Sequence, residues 1–220
     1  MKGKLIVIEG LDGSGKATQT QYLYERCRQA KKNVAKVSFP NYEDNSSALV
    51  KMYLNGQMGN INDVNVFAAS TFYSVDRYAT FHMYYQKQYE EGTIIIADRY
   101  TTSNIVHQAS KLPLQERPAY IQWLEDLEYT RMGLPRPDKV LYMDMEPAIA
   151  RQLIQKRYKG NLGEMDLHES NFEYMMACRE TSLLAAEQCG WDIIPCSDGS
   201  RPLDADKISL KIWESLQDIL

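Results

Sequence analysis

The chain has 220 residues, of which 44% are hydrophobic and 25% charged, with a formal net charge of -4. That length suits one well-cored α/β domain and is short for two, while the acidic balance excludes a nucleic-acid-coating surface, because phosphate backbones are bound through clustered positive charge. No segment is long and apolar enough to span a bilayer.

The first apolar run, Lys4 to Glu9, reads as a strand. It is too short for a secretion signal and ends in an acid rather than a cleavage site, so a cytoplasmic location is expected. It leads directly into Gly10-Leu11-Asp12-Gly13-Ser14-Gly15-Lys16 and then a helix-forming run expected to reach about Lys31. A strand before and a helix after is the context that a phosphate-cradling loop requires. The glycines let backbone N–H groups converge on phosphate oxygens, the helix N-terminus adds the positive end of its dipole, and Lys16 can reach the β- and γ-phosphates of a nucleotide. Gly10, Gly13, Ser14, Gly15, Lys16, Ala17 and Thr18 are therefore the candidate phosphate-binding residues. Ala17 stands where a Ser or Thr ordinarily ligates Mg²⁺, so water or other groups must hold the ion; Thr18 is a poor substitute.

A second strand spans Val34 to Phe39. The stretch from Val64 to about Tyr89 lacks proline and glycine and carries Phe67, Thr71, Val75, Tyr78 and His82 on one stripe, which predicts a long helix whose apolar face serves the core or an interface. The third strand, Thr93 to Ala97, runs into Asp98-Arg99-Tyr100, an acid and an arginine at the carboxyl end of a buried strand, where open parallel sheets bind their ligands. Asp98 can hold Mg²⁺ through water, and Arg99 offers a planar fork to phosphate oxygens; the alternative is a structural pair that closes the strand.

Glycine and proline in Gly133 to Asp138 punctuate the chain before a fourth strand, Lys139 to Asp144. The charged, glycine-containing segment Lys156 to Asn171 is expected to be a mobile lid. Trp191 to Cys196 is the fifth strand, and Ile208, Ile212, Leu216 and Ile219 mark the packing face of a last helix. Five runs apolar at nearly every residue, alternating with helices, predict a three-layer α/β/α fold with a five-stranded parallel sheet. The four cysteines lack CxxC or zinc spacing and are expected to be reduced thiols. His82, His107 and His168 sit in no nucleophile or metal-ligand pattern and are expected to be structural or surface residues.

These motifs, in this order, resemble the thymidylate kinase family across essentially the whole chain, and with it the P-loop NTPase fold. They comprise the glycine loop, Phe39-Pro40, the aromatic-x-x-x-Arg of Tyr73 and Arg77, Asp98-Arg99-Tyr100 with Ser103-Asn104, Pro137-Asp138 and the charged lid. The resemblance implies an ATP-dependent kinase phosphorylating dTMP, with Mg²⁺, acting as a cytoplasmic homodimer on small molecules and not on nucleic acid or membrane. It implies that Asp12 meets the sugar 3′-hydroxyl, Tyr73 stacks on thymine and Arg77 reaches the base carbonyl or acceptor phosphate. Tyr73 and Arg77 stand i, i+4 on one helix face, as a shared pocket requires. Phe39 can border the base, and Asn104 and Gln108 its polar edge; Ser103 and Arg99 complete the acceptor side. Ser197 to Pro202 stands where related kinases hold adenine.

Two departures stand out. The family's eukaryotic-type pattern continues Phe-Pro with x-Arg, whereas Asn41-Tyr42 follow here, and Ala17 replaces the hydroxyl residue. One form of the family carries an arginine at the position of Gly13, so the resemblance points to the form whose lid supplies that charge. Arg157 is the first choice for it, with Arg151, Lys156 and Lys159 as alternatives. The competing readings are a kinase for another pyrimidine nucleotide and a nucleotide-binding module weakened in catalysis.

Overall fold

The structure, a computed structural model, describes residues 2–60, 63–158 and 171–220. Strands β1 (Leu5–Gly10), β2 (Val34–Ser38), β3 (Ile94–Asp98), β4 (Lys139–Asp144) and β5 (Asp192–Pro195) form one parallel sheet in the order β2-β3-β1-β4-β5. These are the five expected runs, trimmed or shifted by a residue or two at their ends. Parallel strands need long crossovers, and the helices α1 (Lys16–Gln29), α2 (Ala48–Leu54), α3 (Val66–Thr80), α4 (Gln86–Glu90), α5 (Thr101–Asn104), α6 (Arg117–Glu125), α7 (Pro147–Arg157) and α8 (Phe172–Cys189) occupy them, while α9 (Ala205–Glu214) follows β5.

Alternation along the strands splits the core in two. Leu5, Val7, Ile95, Ala97, Val140 and Tyr142 pack on one face with Tyr120, Ile121 and Leu124 of α6 and Ala185 and Ala186 of α8. Ile6, Ile8, Ile94, Ile96, Leu141 and Met143 pack on the other with Leu23 and Cys27 of α1, Ile149, Ala150 and Ile154 of α7, and Ile208 and Ile212 of α9. Both faces of the central strand β1 are covered, so its six residues are all buried. Each buried isoleucine or leucine contributes roughly 1.5–3 kcal/mol. The result is the expected three-layer sandwich. No helix among the described residues is long and apolar enough to cross a membrane.

The long helix expected over Val64 to about Tyr89 forms as α3, a π turn over Phe81–Tyr85, and α4. Asn65 starts it, accepting at its side-chain oxygen from the N–H groups of Phe67 and Ala68, an N-cap that satisfies two orphan donors. Its faces are the reverse of an ordinary amphipathic helix. Ser70, Ser74, Asp76, Arg77 and Thr80 are buried, while Phe67, Val75 and Tyr78 of the apolar stripe are exposed. The inward side meets buried polar groups, described below, rather than the hydrophobic core. Of the segment expected to be a lid, Lys156 and Arg157 complete the last turn of α7, and residues 159–170, with Lys159 and His168, lie outside the described residues. All four cysteines are free.

Candidate active site

Register brings the carboxyl ends of three strands together: Ile8 of β1 and Ser38 of β2 both pair with Asp98 of β3. Above them opens a cavity of about 630 Å³. Asp12, Gly13, Gly15, Lys16, Ala17, Thr18, Phe39, Tyr73, Arg77, Asp98, Arg99, Ser103, Asn104, Gln108 and Arg157 all line it. Gly10 and Ser14 shape the loop from beneath, and the Ser197 to Pro202 turn is not part of the lining.

The phosphate loop is built on backbone conformations that suit glycine. Gly13 has φ 80°, and a Cβ there would lie 2.6 Å from the carbonyl oxygen of Ala150 on α7. An arginine at this position has no room unless α7 moves. Lys16 is buried and donates from Nζ to the carbonyl oxygens of Gly10 (2.7 Å) and Leu11 (2.9 Å), with Asp12 at 3.7 Å. Burial, and then the nearby Arg99 cation, lower its pKa from the ordinary lysine value. The Ser14 hydroxyl oxygen is buried and has no hydrogen-bond partner among the described residues.

Arg99 follows β3 with φ 68°, a left-handed conformation uncommon outside glycine. That backbone turns its guanidinium across the cavity floor. Nη2 donates to Asp12 Oδ1, and Nη1 donates to Ser103 Oγ (3.4 Å) and to His107 Nε2 (3.0 Å). Ser103 in turn donates to Glu9 Oε2 (2.7 Å), which also accepts from Thr102 Oγ1 (2.7 Å), while Glu9 Oε1 accepts from the Gly10 amide (2.9 Å). Glu9, fully buried at the end of β1, thus ties the phosphate loop to α5. Asp98 lies between these cations; burial raises its carboxyl pKa against the pull of Lys16 and Arg99.

The far wall belongs to α3. Arg77 is 2% exposed and clamps Glu128, Nε to Oε2 at 2.7 Å and Nη2 to Oε1 at 2.9 Å. The Glu128 carboxylate, fully buried, also accepts from Ser74 Oγ (2.7 Å) and Thr101 Oγ1. Arg77 lies over the rings of Phe39 and Tyr100, 5.7 and 5.4 Å from their centroids. Its neighbour Asp76 accepts from the Asn41 amide (3.0 Å) and the Ser46 hydroxyl (2.6 Å), holding the loop after β2. Tyr73 stands edge-on to Tyr53 at 6.4 Å, and burial pushes its hydroxyl pKa well up. Asn104 donates through Nδ2 to the Ser70 carbonyl at 3.1 Å, and Gln108 Oε1 accepts from Lys111 at 3.1 Å.

Among the lid cations, Arg157 lines the cavity, whereas Arg151 lies over the ring of Phe172, 5.7 Å from its centroid. His107, expected to be an ordinary structural or surface residue, instead lines the cavity and contacts Arg99. His82 is on the surface, as expected. Glu9, Asp76 and Glu128 carry no local motif; Glu9 closes an apolar strand and Asp76 stands beside Arg77, whereas nothing in the sequence marks Glu128.

A family model for thymidylate kinase matches residues 8–202. A thymidylate kinase of Mycobacterium tuberculosis (strain ATCC 25618 / H37Rv) is 31% identical over 157 residues, covering 71% of each chain. One from Caenorhabditis elegans is 28% identical, covering 98% of this chain and 92% of its own. Among solved structures, a thymidylate kinase from Candida albicans superposes with a TM-score of 0.71 at 20% identity, covering 99% of this chain and 92% of that one.

Proposed function

The chain belongs to the thymidylate kinase family, and from that premise we infer that it transfers the γ-phosphoryl group of ATP to dTMP, giving dTDP and ADP. One observation carries the reading beyond family membership: a phosphate loop, a second pair of charged groups on β3 and an aromatic slot with amide groups all open into a single cavity. Phosphoryl transfer needs in-line positioning, charge neutralisation and exclusion of water rather than covalent chemistry.

In this reading the Gly10 to Thr18 loop holds the ATP phosphates, and Lys16 leaves the Gly10 and Leu11 carbonyls for the β- and γ-oxygens. Arg99 bridges donor and acceptor phosphates, with Asp12 beside it at the sugar 3′-hydroxyl. Tyr73 and Phe39 flank the thymine ring; Arg77 donates to a base carbonyl, and Asn104 and Gln108 meet the polar edge. The clamp on Glu128 leaves Arg77 Nη1 as the guanidinium nitrogen for that contact. Ser103 supports Arg99. Arg157 supplies the cation that closes on the transferring phosphoryl group, which suits a loop with no room for an arginine at Gly13.

Mg²⁺ fits the donor set. Among the described residues no three carboxylate, imidazole or thiol groups converge as a cage. Mg²⁺ at a nucleotide is ordinarily held by one or two carboxylates together with phosphate oxygens and water. Asp98 would hold the ion through water, since residue 17 is an alanine and offers no hydroxyl. When bound, the ion neutralises charge on the β- and γ-oxygens.

A coupled ADP-release assay presenting dTMP, dUMP, UMP, CMP, dGMP and AMP separately, with ATP and Mg²⁺, tests the function. Clear preference for dTMP is expected. Silence with all six despite ATP binding would overturn the reading in favour of a binding module.

The exposed stripe on α3 supports a homodimer. Phe67, Val75 and Tyr78 of the stripe are 41%, 47% and 41% exposed, an apolar surface of the kind that marks interfaces. Val75→Glu is expected to convert a dimer to a monomer in sedimentation equilibrium while leaving the melting temperature of the monomer fold intact. A wild-type protein monomeric at micromolar concentration would dismiss the stripe as an interface. Four free cysteines suit a reducing compartment, and we assign the protein to the cytoplasm.

A further inference from the structure

We propose that His107 is a positioning residue for the acceptor-phosphate site: its imidazole, hydrogen-bonded between Arg99 and Tyr174, sets the plane in which the Arg99 guanidinium is presented to the monophosphate. The proposal rests on the reading of Arg99 given above.

Hydrogen-bond chemistry assigns the two ring nitrogens of His107, whose Nδ1 also lies 3.8 Å from Cys178 Sγ of α8. A guanidinium has donors and no acceptor, so at 3.0 Å from Arg99 Nη1 the His107 Nε2 must be an unprotonated acceptor. The ring proton then sits on Nδ1, 3.0 Å from the Tyr174 hydroxyl oxygen. Tyr174 spends its own proton on the His107 main-chain carbonyl at 3.1 Å, which leaves its oxygen to accept from Nδ1. The two rings stack at 6.0 Å and 26°, and α8, which carries Tyr174, therefore fixes both the tautomer and the orientation of the imidazole.

Arg99 needs such a support. Its left-handed backbone places the guanidinium but does not set its rotation. Asp12 holds Nη2 on one side. On the other side Nη1 has the long contact to Ser103 at 3.4 Å and the shorter one to His107. Ser103 and His107 stand i, i+4 on one continuous helical run that begins with α5, so His107 gives Nη1 a second and shorter anchor across the fork from Asp12 at Nη2. A fork that binds phosphate with two parallel donors loses its advantage if its plane can turn.

The test compares His107→Phe, which keeps the ring and deletes the acceptor, with His107→Gln, whose amide oxygen can stand where Nε2 stands. Tyr174→Phe is the third variant; it removes the group that orients the imidazole. Steady-state constants for dTMP and ATP are measured alongside melting temperature. His107→Phe is expected to raise the KM for dTMP by about tenfold, the scale of one hydrogen bond to a charged group, with the KM for ATP within about twofold. His107→Gln is expected to recover most of that loss, and Tyr174→Phe to show a smaller rise in the same constant. Unchanged dTMP kinetics in His107→Phe, with an active wild type, would overturn the proposal and leave the function standing. A Gln variant as impaired as the Phe variant, with both substrates affected equally, would also overturn it. Wild-type protein inert toward dTMP would remove the function reading and this inference together. Should His107→Phe fail to fold, an unaltered dTMP KM in Tyr174→Phe would count against the proposal, and a raised one with a near-normal Gln variant would uphold it.

Discussion

Arg99→Lys is expected to lower kcat/KM for dTMP by about 10³-fold, nearly as much as Arg99→Met, because an arginine that stabilises transferring phosphoryl charge is worth about 10³–10⁵. Charge alone does not explain the effect. The guanidinium spans from Asp12 at Nη2 to Ser103 and His107 at Nη1. A lysine is a point charge on a flexible stem and cannot occupy three contacts in one plane. It would pair with Asp12, which already lies 3.7 Å from Lys16, and leave the acceptor side without a donor. Stopped-flow or steady-state measurements with both variants decide the matter. A lysine variant within tenfold of wild type would show that Arg99 acts as a positive charge without directional demands.

Glu128→Gln is expected to be the most damaging single change for stability, at about 3–5 kcal/mol, the usual cost of breaking a buried pair and stranding its partner's charge. For a domain of this size that corresponds to a fall in melting temperature of roughly 10 °C. Glu128 and Arg77 are 0% and 2% exposed, and the carboxylate accepts from Arg77 twice, from Ser74 and from Thr101. An amide at residue 128 offers one acceptor oxygen and turns an NH₂ group toward donors. The double variant Arg77→Met with Glu128→Leu should recover most of the stability, because the desolvation cost disappears with both charges. It should not recover dTMP binding. Calorimetric melting of the single and double variants is the measurement; a single variant melting within about 2 °C of wild type would mean that water reaches Arg77.

These two expectations differ in how visible their grounds are in the sequence. Asp98-Arg99 is a contiguous pair at the end of an apolar run, and its place above the sheet follows from the strand alone. Arg77 was equally visible, through its i, i+4 spacing from Tyr73. Its partner Glu128 is 51 residues away in a π turn after α6, and no spacing rule connects the two. The apolar stripe of α3 was legible as a stripe, but its direction was not. Helical periodicity says which residues share a face; it does not say whether that face meets the core, another copy of the chain or solvent. Here Ser70, Ser74 and Arg77 turn inward because Glu128, Thr101 and Tyr120 wait there with complementary groups.

What the sequence determined by itself was everything carried by short-range geometry. The five strands were legible because residues covered on both faces must be apolar at nearly every position. The phosphate loop was legible because backbone donors can converge only where consecutive residues accept glycine conformations. The tertiary structure alone decided which distant side chains complete the site: Glu9 under Ser103, Asp76 holding the loop after β2, and His107 joining Arg99 to Tyr174 of α8. Those contacts depend on register and helix packing, which bring residues as far apart as Glu9 and Ser103, 94 positions, within hydrogen-bonding reach. A histidine in isolation is compatible with many environments. Only the placement of a guanidinium at one of its nitrogens and a tyrosine hydroxyl at the other determined which proton it carries and what it can do.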